Sequence, residues 1–384
     1  MFLLKFKHHM RILIVPDSFK ESLSATEVSF SIKEGIVSIL PEAEVEELPF
    51  SDGGEGALEV LNKHTEGTLV TCPTENALGE AIEASYFLFG KKKKAWIELS
   101  QASGLAQIPA NQRNVLKATT YGTGLLIKDA LAKGCTEIIL GVGGSATNDG
   151  GAGIYEALGG YFLDEKDRPI ERGGAALCSL KSLIPPQISE KINWNVACDV
   201  NNPLLGNTGA ATVYAPQKGA TQEDVELLEQ SMSQLAKVLE QHFNRSVTTL
   251  KGGGAAGGTA AGMVGFFNAN LVSGFSLLSE QIGLENKIKS ADLVITAEGK
   301  IDAQSTQGKL TGSVAQLCEK YEIPLIGLGG TVEQPYEVLY ASGFTGVFAI
   351  QNGPRSVENS MENAASLLTD ATSRVLQFYT QSKK

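Results

Sequence analysis

Short apolar runs alternate with amphipathic stretches at the N-terminal end of the chain. The run Arg11 to Asp17 is rich in β-branched residues and predicts a buried parallel strand. A helix is predicted from Ser24 to about Leu40, because its first serine and Glu27 form a capping box. A second strand follows at Val45 to Phe50 and a second helix at Gly54 to His64. This alternation is typical of βαβ units around a parallel sheet.

The middle of the chain lacks this rhythm. Several short strand-like runs fill Thr68 to Glu98 with no clear helix between them, and a long amphipathic helix is predicted at Glu223 to Phe243. The pattern also predicts helices at Ala118 to Lys133 and Gly151 to Leu158, and strands at Glu137 to Val142, Val196 to Asp199 and Thr212 to Ala215. We therefore expect a mixed α+β region here.

The βα rhythm returns near the C-terminus. Strands are predicted at Asp292 to Ala297, Pro324 to Gly329 and Gly346 to Gln351, and a last helix at about Val357 to Tyr379. The simplest interpretation is an α/β fold in which residues 10–72 and 270–384 form a doubly wound, Rossmann-like parallel-sheet domain. Residues 73–269 then form an inserted mixed α/β domain. Ligands of such sheets bind beyond the carboxyl ends of the strands, and clefts between domains are preferred sites.

Composition excludes several classes of protein. The chain of 384 residues has a net charge of −11, and its one basic run, Lys91 to Lys94, is interpreted as a solvated turn, so no nucleic-acid partner is expected. No apolar run approaches the ~20 residues of a membrane span. The first nine residues are too short for a signal peptide. The five cysteines have no C-x-x-C or metal-binding spacing, which favours reduced thiols and a cytoplasmic location.

The predicted strands of the doubly wound domain are followed by polar motifs. P-D-S-F-K-E-S-L-S supplies Asp17, a set of hydroxyls and Lys20, which could neutralise a carboxylate or a phosphate. In S-D-G-G-E-G, Asp52 could be an acid/base group, a hydroxyl ligand or a Mg²⁺ ligand, beside glycines at a helix N-terminus. The motif T-A-E-G-K-I-D-A-Q-S-T-Q-G-K carries Glu298 and Asp302 with lysines and hydroxyls. A purely structural loop rarely has so many charged and hydroxyl side chains, so the motif indicates a functional site.

The inserted domain carries glycine-rich motifs. G-V-G-G-S-A-T-N-D-G-G-A-G follows a predicted strand and could cradle phosphate through its amides and hydroxyls. Its first part also matches the dinucleotide pattern G-x-G-x-x-A, with Asp164 about 20 residues on. C-D-V-N-N-P-L places Asp199 at a strand end, as a Mg²⁺ ligand or in an Asx-turn, and Lys218 in P-Q-K-G could contact phosphate. The glycine run Gly252 to Gly262 either contacts a nucleotide or allows close packing.

Other catalytic signatures are missing from the sequence. G-x-x-x-x-G-K-[ST] of the P-loop enzymes does not occur, nor does the H-R-D and D-F-G pair of protein kinases. H-E-x-x-H and G-x-S-x-G are also missing, and histidines are too few for His-based nucleophilic catalysis. A P-loop kinase, a protein kinase, a zincin and a serine hydrolase are therefore excluded as interpretations.

Taken together and in this order, the motifs resemble those of the type-1 glycerate kinase family. The resemblance rests on P-D-S-F-K-E-S-L-S, D-G-G-E-G, G-G-S-A-T-N-D-G-G-A-G, C-D-V-N-N-P-L, P-Q-K-G-A and E-G-x-x-D-x-Q-[ST]-x-x-G-K, and it spans Met10 to about Lys309. It implies a kinase that uses ATP and Mg²⁺ to phosphorylate D-glycerate, usually at the 2-hydroxyl. It also implies a discontinuous domain with an insertion.

We assign expected roles to the motif residues within this resemblance. The expected catalytic residues are Lys20, Asp52, Glu298, Lys300 and Asp302. The expected substrate-binding residues are Asp17, Ser18, Ser22, Gly53, Gly54, Glu55 and Thr306. The expected nucleotide- and phosphate-binding residues are Gly143, Gly144, Ser145, Thr147, Asn148, Lys218, Gly253 and Gly254, and the expected metal ligands are Asp149 and Asp199. Which carboxylate acts as the base stays open, as do 2- versus 3-phosphorylation and the formation of a homodimer.

Two alternatives come from other classes of protein. An NAD-dependent dehydrogenase of small hydroxy acids would rest on G-x-G-x-x-A and Asp164. A non-catalytic sugar-acid sensor would not need so many carboxylates next to glycines. We expect phosphoryl transfer in the cleft between the two domains, because this reaction needs positioning and charge neutralisation more than covalent chemistry.

Overall fold

The computed structural model describes residues 10–19, 21–50, 56–91, 93–189, 191–306 and 310–382. The strands are β1 (Arg11–Ile14), β2 (Glu44–Glu47), β3 (Gly67–Glu75), β4 (Ala81–Phe89), β5 (Lys94–Glu98), β6 (Glu137–Gly141), β7 (Tyr161–Leu163), β8 (Ser182–Ile184), β9 (Asn193–Ala197), β10 (Asn270–Val272), β11 (Leu293–Ile301), β12 (Leu325–Val332) and β13 (Gly346–Ala349). The helices are α1 (Ala25–Ile39), α2 (Ala57–His64), α3 (Ser100–Ser103), α4 (Tyr121–Ala132), α5 (Ala152–Ala157), α6 (Ala210–Tyr214), α7 (Gln222–Phe243), α8 (Thr259–Phe267), α9 (Gly274–Ile282), α10 (Leu284–Ser290), α11 (Leu310–Lys320), α12 (Tyr336–Ala341), α13 (Val357–Glu362) and α14 (Ala364–Ser382).

The chain divides into two compact units. The first unit contains Met1–Asp52 and Ser279–Lys384, and the second contains Gly53–Leu278. The joins expected from the sequence lay near residues 72 and 270. Strand β3 spans both sides of residue 72 and pairs with β4, so the whole strand is part of the second unit's sheet.

The first unit is built around a five-stranded parallel sheet in the order β13-β12-β11-β1-β2. Ile12 and Ile14 on β1 lie in one apolar cluster with residues of α1 and α14. Their neighbour Leu13, which points to the other face, is also buried, and α10 packs against the same strand. Both faces of the sheet are therefore covered, which is why the strands are continuous apolar runs.

The second unit contains a six-stranded mixed sheet in the order β10-β9-β6-β5-β4-β3. β5, β6, β9 and β10 run parallel, while β3 and β4 form an antiparallel edge. Buried residues of the sheet, α4 and α8 make up one core, and α7 packs over a second with Tyr155 and Phe266. The α/β fold class expected from the sequence is confirmed. In the described part of the chain, no helix is long and apolar enough to cross a membrane.

Three element predictions differ from the structure. Thr212 to Ala215 is not a strand: residues 212–214 end α6 and Ala215 caps it. Ala211 and Ala215 pack into a buried cluster with Val225 and Leu228, and this outweighs the strand preference of the β-branched residues. The last predicted helix is two helices, with Asn363 between them. β11 extends to Ile301 because it stays paired with β12, so Glu298 and Lys300 lie on a strand and not in a loop.

Candidate active site

The carboxyl ends of four neighbouring parallel strands of the first unit border one cavity of about 740 Å³. It is lined by Asp17, Ser18, Phe19 and Ser22 after β1, by Glu298, Gly299, Lys300, Asp302 and Gln304 on and after β11, by Gly330 and Thr331 on β12, and by Ile350, Gln351, Gly353, Pro354, Arg355, Val357, Ser360, Met361 and Ala364 after β13. This edge is where open α/β sheets bind ligands, because the chain turns away from each strand there and leaves a crevice.

Asp17 is held at the rim of β1 by short backbone contacts. Its N–H donates to the carbonyl of Ala297 at 2.8 Å, which ties the turn to β11. Its Oδ1 accepts the N–H of Ser18 at 2.6 Å, and the residue is 7% exposed. Asp17 is therefore a fixed carboxylate with limited access to solvent.

Lys300 and Asp302 form an ion pair at the end of β11. Lys300 Nζ lies 3.2 Å from Asp302 Oδ2 and 3.0 Å from Glu333 Oε2, and these two partners raise the pKa of Lys300. Burial tends to raise the pKa of Asp302, but Lys300 and the N–H groups of Gln304 and Ser305 lower it overall. Both side chains are held in their charged forms at neutral pH.

Glu298 contributes another carboxylate to the cavity from within β11. Its Oε2 accepts the hydroxyl of Thr311 on α11 at 3.0 Å. Ser22 also lines the cavity, and its hydroxyl donates to the carbonyl of Met361 at 2.8 Å. Thr306 does not line the cavity: it lies in the 3-10 turn after β11 and donates to Ala303.

The structure thus brings together six of the predicted catalytic and substrate-binding residues, namely Asp17, Ser18, Ser22, Glu298, Lys300 and Asp302. Five others, Lys20, Asp52, Gly53, Gly54 and Glu55, lie outside the described residues. Sequence reasoning missed Arg355, which follows β13 in the segment N-G-P-R. The rule that polar residues at strand ends form sites would have found it.

The glycine-rich loop after β6 is organised in the second unit by Lys218. The Lys218 side chain is buried, and its ammonium donates to Ser145 Oγ at 2.8 Å and to the carbonyl of Thr147 at 2.6 Å. Burial lowers the pKa of Lys218 to about 7, although Asp149 opposes the change. Gly143 and Gly144 are the accessible residues of this loop, while Thr147 and Asn148 are fully buried.

The buried polar atoms of this loop are unusual. Among the described residues, neither Thr147 Oγ1 nor the side-chain amide of Asn148 has a hydrogen-bond partner. Such groups cost free energy unless a water or ligand reaches them. Their predicted contact with phosphate is not visible in the described arrangement, because both side chains are enclosed.

The two aspartates predicted as metal ligands have protein partners. Asp149 is fully buried and accepts five hydrogen bonds, from both N–H and hydroxyl of Thr120, the hydroxyl of Thr119 and the N–H groups of Gly151 and Gly153. Burial raises the pKa of Asp149. These contacts give Asp149 a structural role at the start of α5, and its metal role stays a prediction.

Asp199 lies at the beginning of α9, where both carboxylate oxygens are 3.1 Å from the N–H of Gly274. This is the position of a helix N-terminal anion. In the described part of the chain, no group of three or more His, Cys, Asp or Glu side chains could hold a metal ion by itself.

The glycine run from Gly252 to Gly262 packs closely against the loop after β6. A Cβ at Gly262 would lie 1.8 Å from the carbonyl oxygen of Gly150, and one at Gly257 would lie 2.1 Å from that of Thr147. Gly253 and Gly254 are buried. Their N–H groups donate at 2.9 Å to the carbonyls of Leu250 and Asn202, respectively. The structure therefore shows the close-packing alternative for this run.

Asp164 does not have the position that the dinucleotide pattern requires. It follows β7, which pairs with β8 in a separate antiparallel sheet and not with β6. Its oxygens accept the backbone N–H groups of Lys166 and Arg168. The backbone N–H and the guanidinium of Arg168, together with the N–H of Lys166, lower the pKa of Asp164 to about 2. In a dinucleotide-binding fold, the acidic residue that binds the ribose follows the next parallel strand of the same βαβ unit. The geometry therefore does not support a dehydrogenase.

Comparison with known proteins gives a consistent result over nearly the whole chain. A model of the glycerate kinase family matches residues 12–380. A glycerate kinase of Halalkalibacterium halodurans is 40% identical over 95% of this chain and 97% of its own length. A glycerate 2-kinase of Escherichia coli is 39% identical over 92% of this chain and 94% of its own length. A crystal structure described as glycerate kinase 2 from Salmonella typhimurium matches with a TM-score of 0.81 and 39% identity, covering 98% of this chain and all of that one.

Proposed function

The chain belongs to the glycerate kinase family, and we propose that it transfers the γ-phosphoryl group of ATP to the 2-hydroxyl of D-glycerate with the help of Mg²⁺. The observation that carries the proposal is the cavity at the carboxyl edge of the first sheet. Its 740 Å³ and its mixture of carboxylates, hydroxyls and cations suit a small, highly polar acid.

Phosphoryl transfer requires that the attacking hydroxyl be positioned and that negative charge be neutralised. Asp17, Glu298 and Asp302 offer acceptors for substrate hydroxyls within one cavity. The lowered pKa of Asp302 makes its carboxylate a weak base. Asp302 therefore suits a hydrogen bond to a substrate hydroxyl better than it suits removal of the hydroxyl proton. We assign the base to Asp17 or Glu298, and Lys300 to the charge that develops in the transition state.

The same carboxylates fit a magnesium ion. Mg²⁺ is usually bound by one or two carboxylates together with phosphate oxygens and water, so a protein cage is not required. Whichever of Asp17 and Glu298 does not act as the base would hold the ion in the first unit. Asp199 is proposed separately, as a ligand of a magnesium ion bound within the second unit. When bound, the ion would neutralise charge on the phosphates of the nucleotide.

We propose that the second unit binds the nucleotide phosphates through the accessible glycines of the loop after β6. Gly143 and Gly144 offer backbone N–H groups, and Ser145 lies beside them. Lys218 would act through this loop by holding Ser145 and the Thr147 carbonyl in place. In its protonated form, the buried Lys218 ammonium would also add positive charge to the field at the phosphates.

A coupled assay of ADP release tests the proposal. Purified protein with D-glycerate, ATP and Mg²⁺ should release ADP, while chelation of Mg²⁺ should abolish release. Phosphorus NMR of the product should show 2-phosphoglycerate and not the 3-isomer. A folded protein that releases no ADP with either enantiomer of glycerate would refute the assignment.

A further inference from the structure

Arg355 lies in the segment between β13 and α13 and lines the cavity of the first unit. Its guanidinium donates to the side-chain oxygen of Asn352 at 2.8 Å and to that of Asn359 at 3.3 Å. Asn352 lies in the loop after β13 and Asn359 in the first turn of α13, so two separate side chains orient the guanidinium. Within the described part of the chain, Arg355 is therefore oriented by two amide oxygens and not by a carboxylate.

The charge balance of the cavity makes this unusual. The described residues that line the cavity include three carboxylates, Asp17, Glu298 and Asp302, and two cations, Lys300 and Arg355. Lys300 is already paired with Asp302 and with Glu333. Among the described residues, Arg355 has no carboxylate partner: both of its acceptors are neutral amides.

We propose that Arg355 binds the carboxylate of the substrate and thereby selects an acid over an uncharged polyol. The carboxylate of the substrate needs a cation or N–H donors in the cavity, and Lys300 is already engaged by Asp302 and Glu333. A guanidinium has five N–H donors, of which the two asparagines engage one on each terminal nitrogen, so three donors remain for contact with a carboxylate. The inference rests on the proposed function, because it assumes that the acceptor substrate is glycerate.

The experiment compares Arg355→Gln and Arg355→Lys with the wild type in two measurements, steady-state kinetics and calorimetric binding of D-glycerate. Arg355→Gln should raise KM and Kd for glycerate by about 10², the scale of two lost charge-assisted hydrogen bonds, while kcat falls less than about tenfold. Arg355→Lys keeps the positive charge but not the planar guanidinium, so its KM and Kd for glycerate should lie between those of the wild type and those of Arg355→Gln. Arg374→Ala is the control, since Arg374 pairs with Asp370 outside the cavity and should behave as the wild type.

The outcomes separate this inference from the function on which it rests. Wild-type KM and Kd in Arg355→Gln would overturn the role of Arg355 and leave glycerate kinase activity intact. Glycerate binding that depends on Arg355 in a protein without turnover would support the role and refute the kinase proposal. A folded wild type that neither binds nor phosphorylates glycerate would overturn both, and equal loss in Arg355→Gln and Arg374→Ala would also overturn the specific role.

Discussion

Glu98 is a buried carboxyl group whose ionisation should make the second unit less stable as pH rises. It ends β5, is 1% exposed, and its Oε1 accepts the N–H of Leu58 in the first turn of α2 at 2.9 Å. Burial raises the pKa of Glu98 to about 7 from an ordinary 4.5, although hydrogen bonds from α2 and from Gln101 oppose the change. The group therefore holds its proton in the folded state when the unfolded chain has lost it.

The sign and size of the effect follow from this difference. Below pH 4.5 both states are protonated, and between pH 4.5 and 7 the folded state binds more protons, so the free energy of unfolding falls as pH rises. One pKa unit corresponds to ~1.4 kcal/mol, and between pH 5.5 and 8 the loss should be about 2 kcal/mol. Glu98→Gln has no proton to lose, and its stability relative to the wild type should increase by that amount over this range.

Urea unfolding followed by tryptophan fluorescence can measure this directly. Both tryptophans of the chain, Trp96 and Trp194, lie in the second unit, so the signal reports that unit. With a slope of about 2–3 kcal/mol/M, the midpoint of Glu98→Gln should move by roughly 0.7–1 M relative to the wild type between pH 5.5 and 8. Glu165→Gln, at an exposed position of the same unit, should follow the wild type. Parallel pH profiles for Glu98→Gln and wild type would refute the reasoning.

Two further predictions concern catalysis and packing. Asp302→Asn should lower kcat by about 10²–10³ in the ADP-release assay, because it removes the ionised partner of Lys300 from the cavity; near-wild-type turnover would remove Asp302 from the site. Gly262→Ala should destabilise the second unit by more than ~3 kcal/mol in urea unfolding, because its Cβ would overlap the Gly150 carbonyl. Gly90→Ala is the control, with its nearest contact at 3.5 Å, and equal midpoints for the two variants would contradict the close-packing interpretation.

Local physical chemistry accounts for the predictions that hold. Ser24 accepts the N–H of Glu27, whose carboxylate accepts the N–H of Ser24, so the predicted capping box is present at α1. The apolar runs near residues 12, 294 and 326 are strands, because they are buried on both faces of a parallel sheet. These features depend on residues within one element, and a pattern of neighbours along the chain is enough to specify them.

The candidate site required one more assumption, that strand ends in one sheet meet. That assumption brings Asp17, Glu298 and Asp302 to one cavity, although they are far apart in sequence. It could not show that Lys218 would be buried beneath a glycine-rich loop. Nor could it show that Asp149 would accept five hydrogen bonds, because these depend on partners supplied by other elements.

The sequence by itself determined the family, the βα rhythm of both chain ends and the residue types that phosphoryl transfer needs. Only the tertiary structure decided which of those residues share a cavity, and it added Arg355, whose acceptors are amides and not carboxylates. It also decided that Thr212 and Val213 are helical against their β-branched preference, since buried alanines pack there. The physical reason is the same in each case: burial, charge pairing and close packing depend on residues distant in sequence, whereas periodicity and capping do not.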